Sequence, residues 1–183
     1  MRGGGTVHLL YIDAPYVGSR PRGGFMWHDV PVRHKAGLTR EFVIMCLGQL
    51  KISAAHIFAE TEKELKRLGL EWSDVILAGH SMGADMASRF ALQHQPVRCV
   101  ISFCGQDPEY TIQKNIKFKT TPIIWVAGIG DCILPPEYRD CWRAYRDAGV
   151  PLEYLETECR DNGHDYPSET IIPKIAELVA KLG

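Results

Sequence analysis

Apolar and polar positions along this 183-residue chain switch repeatedly between a strand-like and a helix-like period. Residues 7–12 form an apolar run closed by Asp13-Ala14-Pro15, which predicts a strand leading into a long polar loop up to about Leu38. Leu50, Ile52, Ala54, Ala55, Ile57, Phe58, Leu65 and Leu68 then recur at helical spacing and stop at Gly69. Residues 75–78 read as a second strand, 82–94 as a helix and 97–104 as a third strand, with Pro96 dividing the last two. A fourth strand is expected over 122–128. It precedes a helix over 136–148, where Tyr138, Cys141, Trp142 and Tyr145 lie three or four apart before Gly149. Residues 152–158 alternate as a fifth strand, and 175–182 close the chain as an amphipathic helix. Pro173 leaves the start of that helix open, since it would break a hydrogen bond five residues into a helix capped by Ser168.

Strands alternating with helices predict an α/β three-layer sandwich: a mostly parallel sheet of about five strands, covered on both faces and joined by right-handed crossovers. The sequence shows no internal repeat, low-complexity tract or linker, so residues 1–183 read as a single domain with 1–6 as a flexible tail. A formal net charge of -1 provides no field for nucleic acid or an acidic membrane surface. The cluster Arg20, Arg22, Arg33, His34 and Lys35 reads as a solvated loop. No stretch has the continuous apolar length of a membrane span, and Met1-Arg2-Gly3-Gly4-Gly5 lacks the apolar core of a signal peptide, which predicts a cytoplasmic protein. Six cysteines show neither a C-x-x-C pair nor zinc-like spacing with histidine, so they read as buried thiols, with no metal expected.

Chemistry concentrates at Gly79-His80-Ser81-Met82-Gly83, between the second strand and its following helix. A serine on such a turn sits in a nucleophile elbow, and glycines two residues to either side let neighbouring backbone approach without a Cβ clash. The Met82 amide opens the helix and supplies one oxyanion donor beside the hydroxyl. Active sites in parallel sheets lie at the carboxyl ends of the strands. Asp131 follows the fourth strand there, and His164 follows the fifth in Asp161-Asn162-Gly163-His164-Asp165. Serine needs an imidazole to take its proton and a carboxylate to hold that imidazole, and the order Ser81, Asp131, His164 is that of an α/β-hydrolase. Asp107, after the third strand, is the rival acid. Structural or solvent roles are assigned to the remaining histidines, His80 included.

These residues resemble the phospholipase/carboxylesterase branch of the α/β-hydrolases, which includes the acyl-protein thioesterases. Gly79-His80-Ser81-Met82-Gly83 is similar to that family's elbow, with His80 and Met82 in place of its usual phenylalanine and glutamine. Asp131-Cys132-Ile133-Leu134-Pro135 resembles its acid segment, Asn162-Gly163-His164 its histidine loop, and Asp13-Ala14-Pro15 with Met26-Trp27-His28-Asp29 its Ala-Pro strand and tryptophan loop. The family begins with a further strand whose following loop provides the second oxyanion amide, whereas this chain starts almost directly at what resembles the next strand. An N-terminally truncated sheet is therefore expected. Its gap would be closed by the residue 7–12 strand pairing with the nucleophile strand, or by self-association, or else the chain is a shortened product.

The resemblance implies cleavage of carboxylic esters or thioesters, from small molecules or acylated proteins, through an acyl-enzyme and with no cofactor. Trp27 and Met82 are candidate walls for the acyl chain, with ordinary packing as the alternative. Two other classes remain open on sequence alone: a weak pseudoenzyme lacking one oxyanion donor, and an interaction protein assembling through exposed sheet edges.

Overall fold

The computed structural model describes residues 7–17, 25–26, 40–106, 115–134, 140–159, 163–164 and 168–182. The chain divides into two compact units, Met1–Gly69 and Leu70–Gly183. The expected tail at 1–6 lies outside the described residues.

In the first unit, β1 (Tyr16–Val17) pairs antiparallel with β2 (Phe25–Met26) in a short ribbon. Helix α1 (Arg40–Leu68) begins well before the expected apolar stripe. Of the expected stripe, Leu50, Ala54, Ile57 and Leu65 are buried, joined by Ser53 and Thr61, whereas Ile52, Ala55 and Phe58 are exposed and lie off the buried face. The helix ends where Gly69 takes φ 68°, a left-handed C-terminal residue that glycine adopts without a Cβ clash.

The strand expected over residues 7–12 does not form. Residues 7–14 carry no ladder, and Val7 and Tyr11 are 86% and 85% exposed. An apolar run becomes a strand only where a neighbouring strand takes up its backbone groups, and β3 has β4 as its sole ladder partner among the described residues. Among the described residues the parallel sheet has four strands.

That sheet belongs to the second unit. Strands β3 (Ile76–His80), β4 (Cys99–Phe103), β5 (Ile123–Gly128) and β6 (Leu152–Thr157) lie in the order β3-β4-β5-β6, all parallel. All six residues of β5 are buried, as an inner parallel strand covered on both faces requires. Helix α2 (Met82–Gln93) follows β3 and is buried along nine consecutive residues, with the Arg89–Asp85 pair enclosed at 3.4 Å.

Helices α3 (Trp142–Asp147) and α4 (Ile172–Lys181) cover opposite faces. Ile124 and Val126 point to one side, where Leu155 and the α4 residue Ile175 complete a core with Cys99 and Ile171. Trp125, between them in sequence, points to the other and meets Tyr145 of α3 edge-on at 5.8 Å. The three-layer arrangement expected from strand–helix alternation is thus present in this unit. Ser168 caps a single 3-10 turn, Glu169–Ile171, and α4 starts only at Ile172. Pro173 therefore stands in the first helical turn, where its missing N–H costs nothing. Among the described residues no helix is long and apolar enough to cross a membrane.

Candidate active site

The three residues singled out by sequence meet at the carboxyl edge of the sheet. Ser81 joins β3 to α2 with φ 53° and ψ -117°, a left-handed backbone that costs a non-glycine residue about 1–3 kcal/mol. Hydrogen bonds on both sides hold it there. Its N–H donates to the Phe103 carbonyl at 2.9 Å, extending the β3–β4 ladder, while its carbonyl accepts from Ala84 and Asp85 at 3.0 and 3.1 Å. The turn is so tight that a Cβ on Gly79 would run into the Gly83 carbonyl, which explains the first glycine of the motif. As the first residue of α2, Met82 has no i-4 carbonyl within the helix for its amide.

His164 aligns between serine and acid. Its Nε2 lies 2.9 Å from Ser81 Oγ and its Nδ1 lies 2.8 Å from Asp131 Oδ2. Both contacts are satisfied in one tautomer, in which Nδ1–H donates to the carboxylate and Nε2 accepts from the hydroxyl. Asp131 is fixed from behind, because its other oxygen accepts the Ile133 and Leu134 amides at 2.9 and 3.1 Å. The acid segment thus curls around its own carboxylate, the turn that aspartate favours. Its side chain is 2% exposed, and that of His164 12%.

The loops carrying Asp131 and His164 touch through backbone. A Cβ on Gly128, the last residue of β5, would collide with the Gly163 carbonyl. One on Gly163, which sits at φ 72°, would collide with the backbone of Asp131. Only glycine at both places allows His164 to come this close to the acid.

Two participants were not legible in the sequence. The His80 side chain donates from Nε2 to the His164 carbonyl at 2.6 Å and so ties the elbow to the histidine loop. Cys104, just past β4, has φ 47° and anchors its N–H on the Val126 carbonyl at 2.8 Å. Its sulfur, one carboxylate oxygen of Asp131 and one ring nitrogen of His164 all lie within 4.8 Å of one another. Burial, reinforced by the neighbouring Cys159 thiol and the Asp131 carboxylate, pushes the Cys104 thiol up to about 12. The left-handed Cys104 joins elements distant in sequence, so no local spacing announces it.

Of the other expectations, Met82 lies half-buried beside Ser81. Trp27 and the rival acid Asp107 lie outside the described residues.

No family model matches the chain, and neither does any curated protein sequence. Solved structures do match in fold. SOBER1 of Arabidopsis thaliana superposes with a TM-score of 0.69 at 20% identity, over 94% of this chain and 82% of that one. Esterase PE8 gives 0.73 at 18% identity, covering 93% of this chain and 76% of its own. The Bacillus cereus carboxylesterase gives 0.63 at 14%, with 91% and 74% covered. Together with the parallel sheet and the strand–serine–helix turn, these superpositions establish that the chain shares the α/β-hydrolase fold of these structures.

Proposed function

We propose that this protein is a serine hydrolase of carboxylic esters or thioesters. The observation that carries the reading is the continuous line Asp131–His164–Ser81, with contacts of 2.8 and 2.9 Å on a strained elbow. His164 takes the Ser81 proton as Oγ attacks the carbonyl carbon, and Asp131 stabilises the imidazolium that results. The Met82 amide donates to the developing oxyanion. His164 then returns the proton to the departing alkoxide or thiolate, leaving an acyl-serine that water opens by the same steps. The chemistry calls for no cofactor.

Met82 walls the acyl chain in this reading, and the substrate is a small ester or an acylated protein. The protein works as one domain in the cytoplasm, a setting supported by the buried thiols of Cys99, Cys104 and Cys141, none in a disulfide.

Hydrolysis of p-nitrophenyl acetate by the purified protein and three variants tests the reading. Ser81→Ala and His164→Ala are expected to abolish turnover. Asp131→Asn is expected to lower kcat about ten-thousand-fold while leaving the melting temperature nearly unchanged, because it loses the tautomer and keeps the packing. Turnover that persists in Ser81→Ala would sink the mechanism.

A further inference from the structure

Beside the Asp131–His164–Ser81 line, at the ends of the same strands, lies a thiol that hydrolysis does not use. Cys104 is buried and reaches the carbonyl of Gly163 at 3.9 Å, directly under the histidine loop. Its sulfur, an Asp131 oxygen and a His164 nitrogen form a compact trio drawn from the ends of β4, β5 and β6. Thiolate, imidazole and carboxylate together are the donors of borderline-soft cations, unlike the all-oxygen sets that hold magnesium or calcium.

The spacing suits such an ion. Zinc held at about 2.3 Å by sulfur, 2.0–2.1 Å by nitrogen and 2.0–2.2 Å by oxygen in a tetrahedron places its ligand atoms roughly 3.4–3.6 Å apart. The trio here falls within 4.8 Å, and the His164–Asp131 contact is 2.8 Å, so the present separations bracket those values. The supports are already rigid: Asp131 by two amides, His164 by the His80 bond to its carbonyl, and Cys104 by its amide on Val126. Ligands held by such outer contacts bind with less reorganisation.

We propose that Cys104, Asp131 and His164 form a binding site for a thiophilic divalent cation of the Zn2+ or Cd2+ class, and that its occupation switches off Ser81. On coordination the Cys104 S–H bond breaks heterolytically. Its proton passes to water and its electron pair to the metal, with no change of oxidation state. A cation on His164 Nδ1 leaves the remaining ring proton on Nε2, which then cannot accept the Ser81 proton. A cation on Nε2 displaces the Ser81 contact outright. Either way the base is consumed. Sequence spacing could not reveal this set, because its three members come from three different strand ends.

The binding half stands by itself, and the inhibitory half rests on the serine hydrolase reading, so the test separates them. The full chain, kept reduced with a phosphine so that Cys104 and Cys159 stay thiols, is titrated with Cd2+ while the thiolate-to-cadmium absorption in the ultraviolet is followed. One equivalent is expected to produce the band. Cys104→Ser should remove it, Cys132→Ser should retain it, and His164→Ala should weaken binding by more than about tenfold, the lower end of what even outer-contact changes cost. No band, or a band that survives Cys104→Ser, overturns the site. His164→Ala removes a different ligand, so the result does not depend on how well Cys104→Ser folds.

In parallel, Zn2+ is expected to slow fluorophosphonate labelling of the wild type at least tenfold, with recovery on adding EDTA and loss of the effect in Cys104→Ser. Labelling unchanged under saturating Zn2+ overturns the inhibitory half. A protein that shows the cadmium band yet never labels would keep the metal site and lose the hydrolase reading.

Discussion

Two apolar runs, residues 7–12 and β5, have the same length and similar composition, yet only one is a strand. Every residue of β5 is buried, with ladders to β4 on one side and β6 on the other. The run at 7–12 has no ladder, and Val7, Leu9, Leu10 and Tyr11 face solvent. Hydrophobicity makes a segment suitable for burial at about 25 cal/mol per Å2, but the segment collects that energy only where partners take up its backbone groups. The difference also bears on the candidate site, since the strand with two partners delivers Asp131 and the run with none delivers no candidate residue.

The contrast predicts unequal costs for truncation. Trp125→Ala removes a fully buried indole from β5 together with its edge contact to Tyr145, and should destabilise the fold by about 3–5 kcal/mol in urea unfolding. Leu9→Ala, at an exposed position, should stay within about 0.5 kcal/mol. Equal costs would mean that the two runs are not energetically distinct.

A smaller effect probes how β5 passes its rigidity to the site. Gly128→Ala must push the Gly163 carbonyl away and His164 with it, so p-nitrophenyl acetate turnover should fall about 100-fold, the scale of a 1 Å misplacement. Gly130→Ala meets open space and faces only the penalty of its φ of 74°, about 1 kcal/mol of stability, with turnover retained. Similar turnover in both variants would show that the two loops are not coupled through Gly128.

The smallest effect comes from His94 at the end of α2, outside both runs. Desolvation first, then Lys117 and Arg89, hold its imidazole below the ordinary 6.5. Its contribution to stability is therefore complete above pH 6.5 and is lost as pH falls through the lower folded value. Unfolding free energies measured down through that window should decline less steeply in His94→Gln than in wild type. An identical slope would remove His94 from the account.

The same contrast explains what could be read from sequence. Strands β3 to β6 and helices α2 and α4 carry strong periodicity and glycine or proline punctuation, so their existence was legible and their ends shifted by at most three residues. Ser81, Asp131 and His164 were legible because each follows a strand at the edge where parallel sheets place chemistry. The β1–β2 ribbon, two residues per strand, leaves no periodic trace in a polar stretch. The start of α1 at Arg40 was missed because residues 42–47, Phe-Val-Ile-Met-Cys-Leu, are apolar at every position and show no helical period. Residues 7–12 misled because periodicity reports side-chain suitability and not the presence of a neighbour. His80 on the His164 carbonyl and Cys104 beside Asp131 are tertiary meetings, which no local pattern encodes.

The central claim is that Ser81 is a nucleophile activated by His164. Intact mass spectrometry after brief exposure to a fluorophosphonate tests it most directly, because it reads covalent capture without assuming a substrate. The account predicts a single adduct on Ser81 in wild type, none in Ser81→Ala, and capture slowed by at least about 100-fold in His164→Ala, as for removal of a general base. A folded wild-type protein that takes up no adduct, or an adduct mapped to another residue, would contradict it.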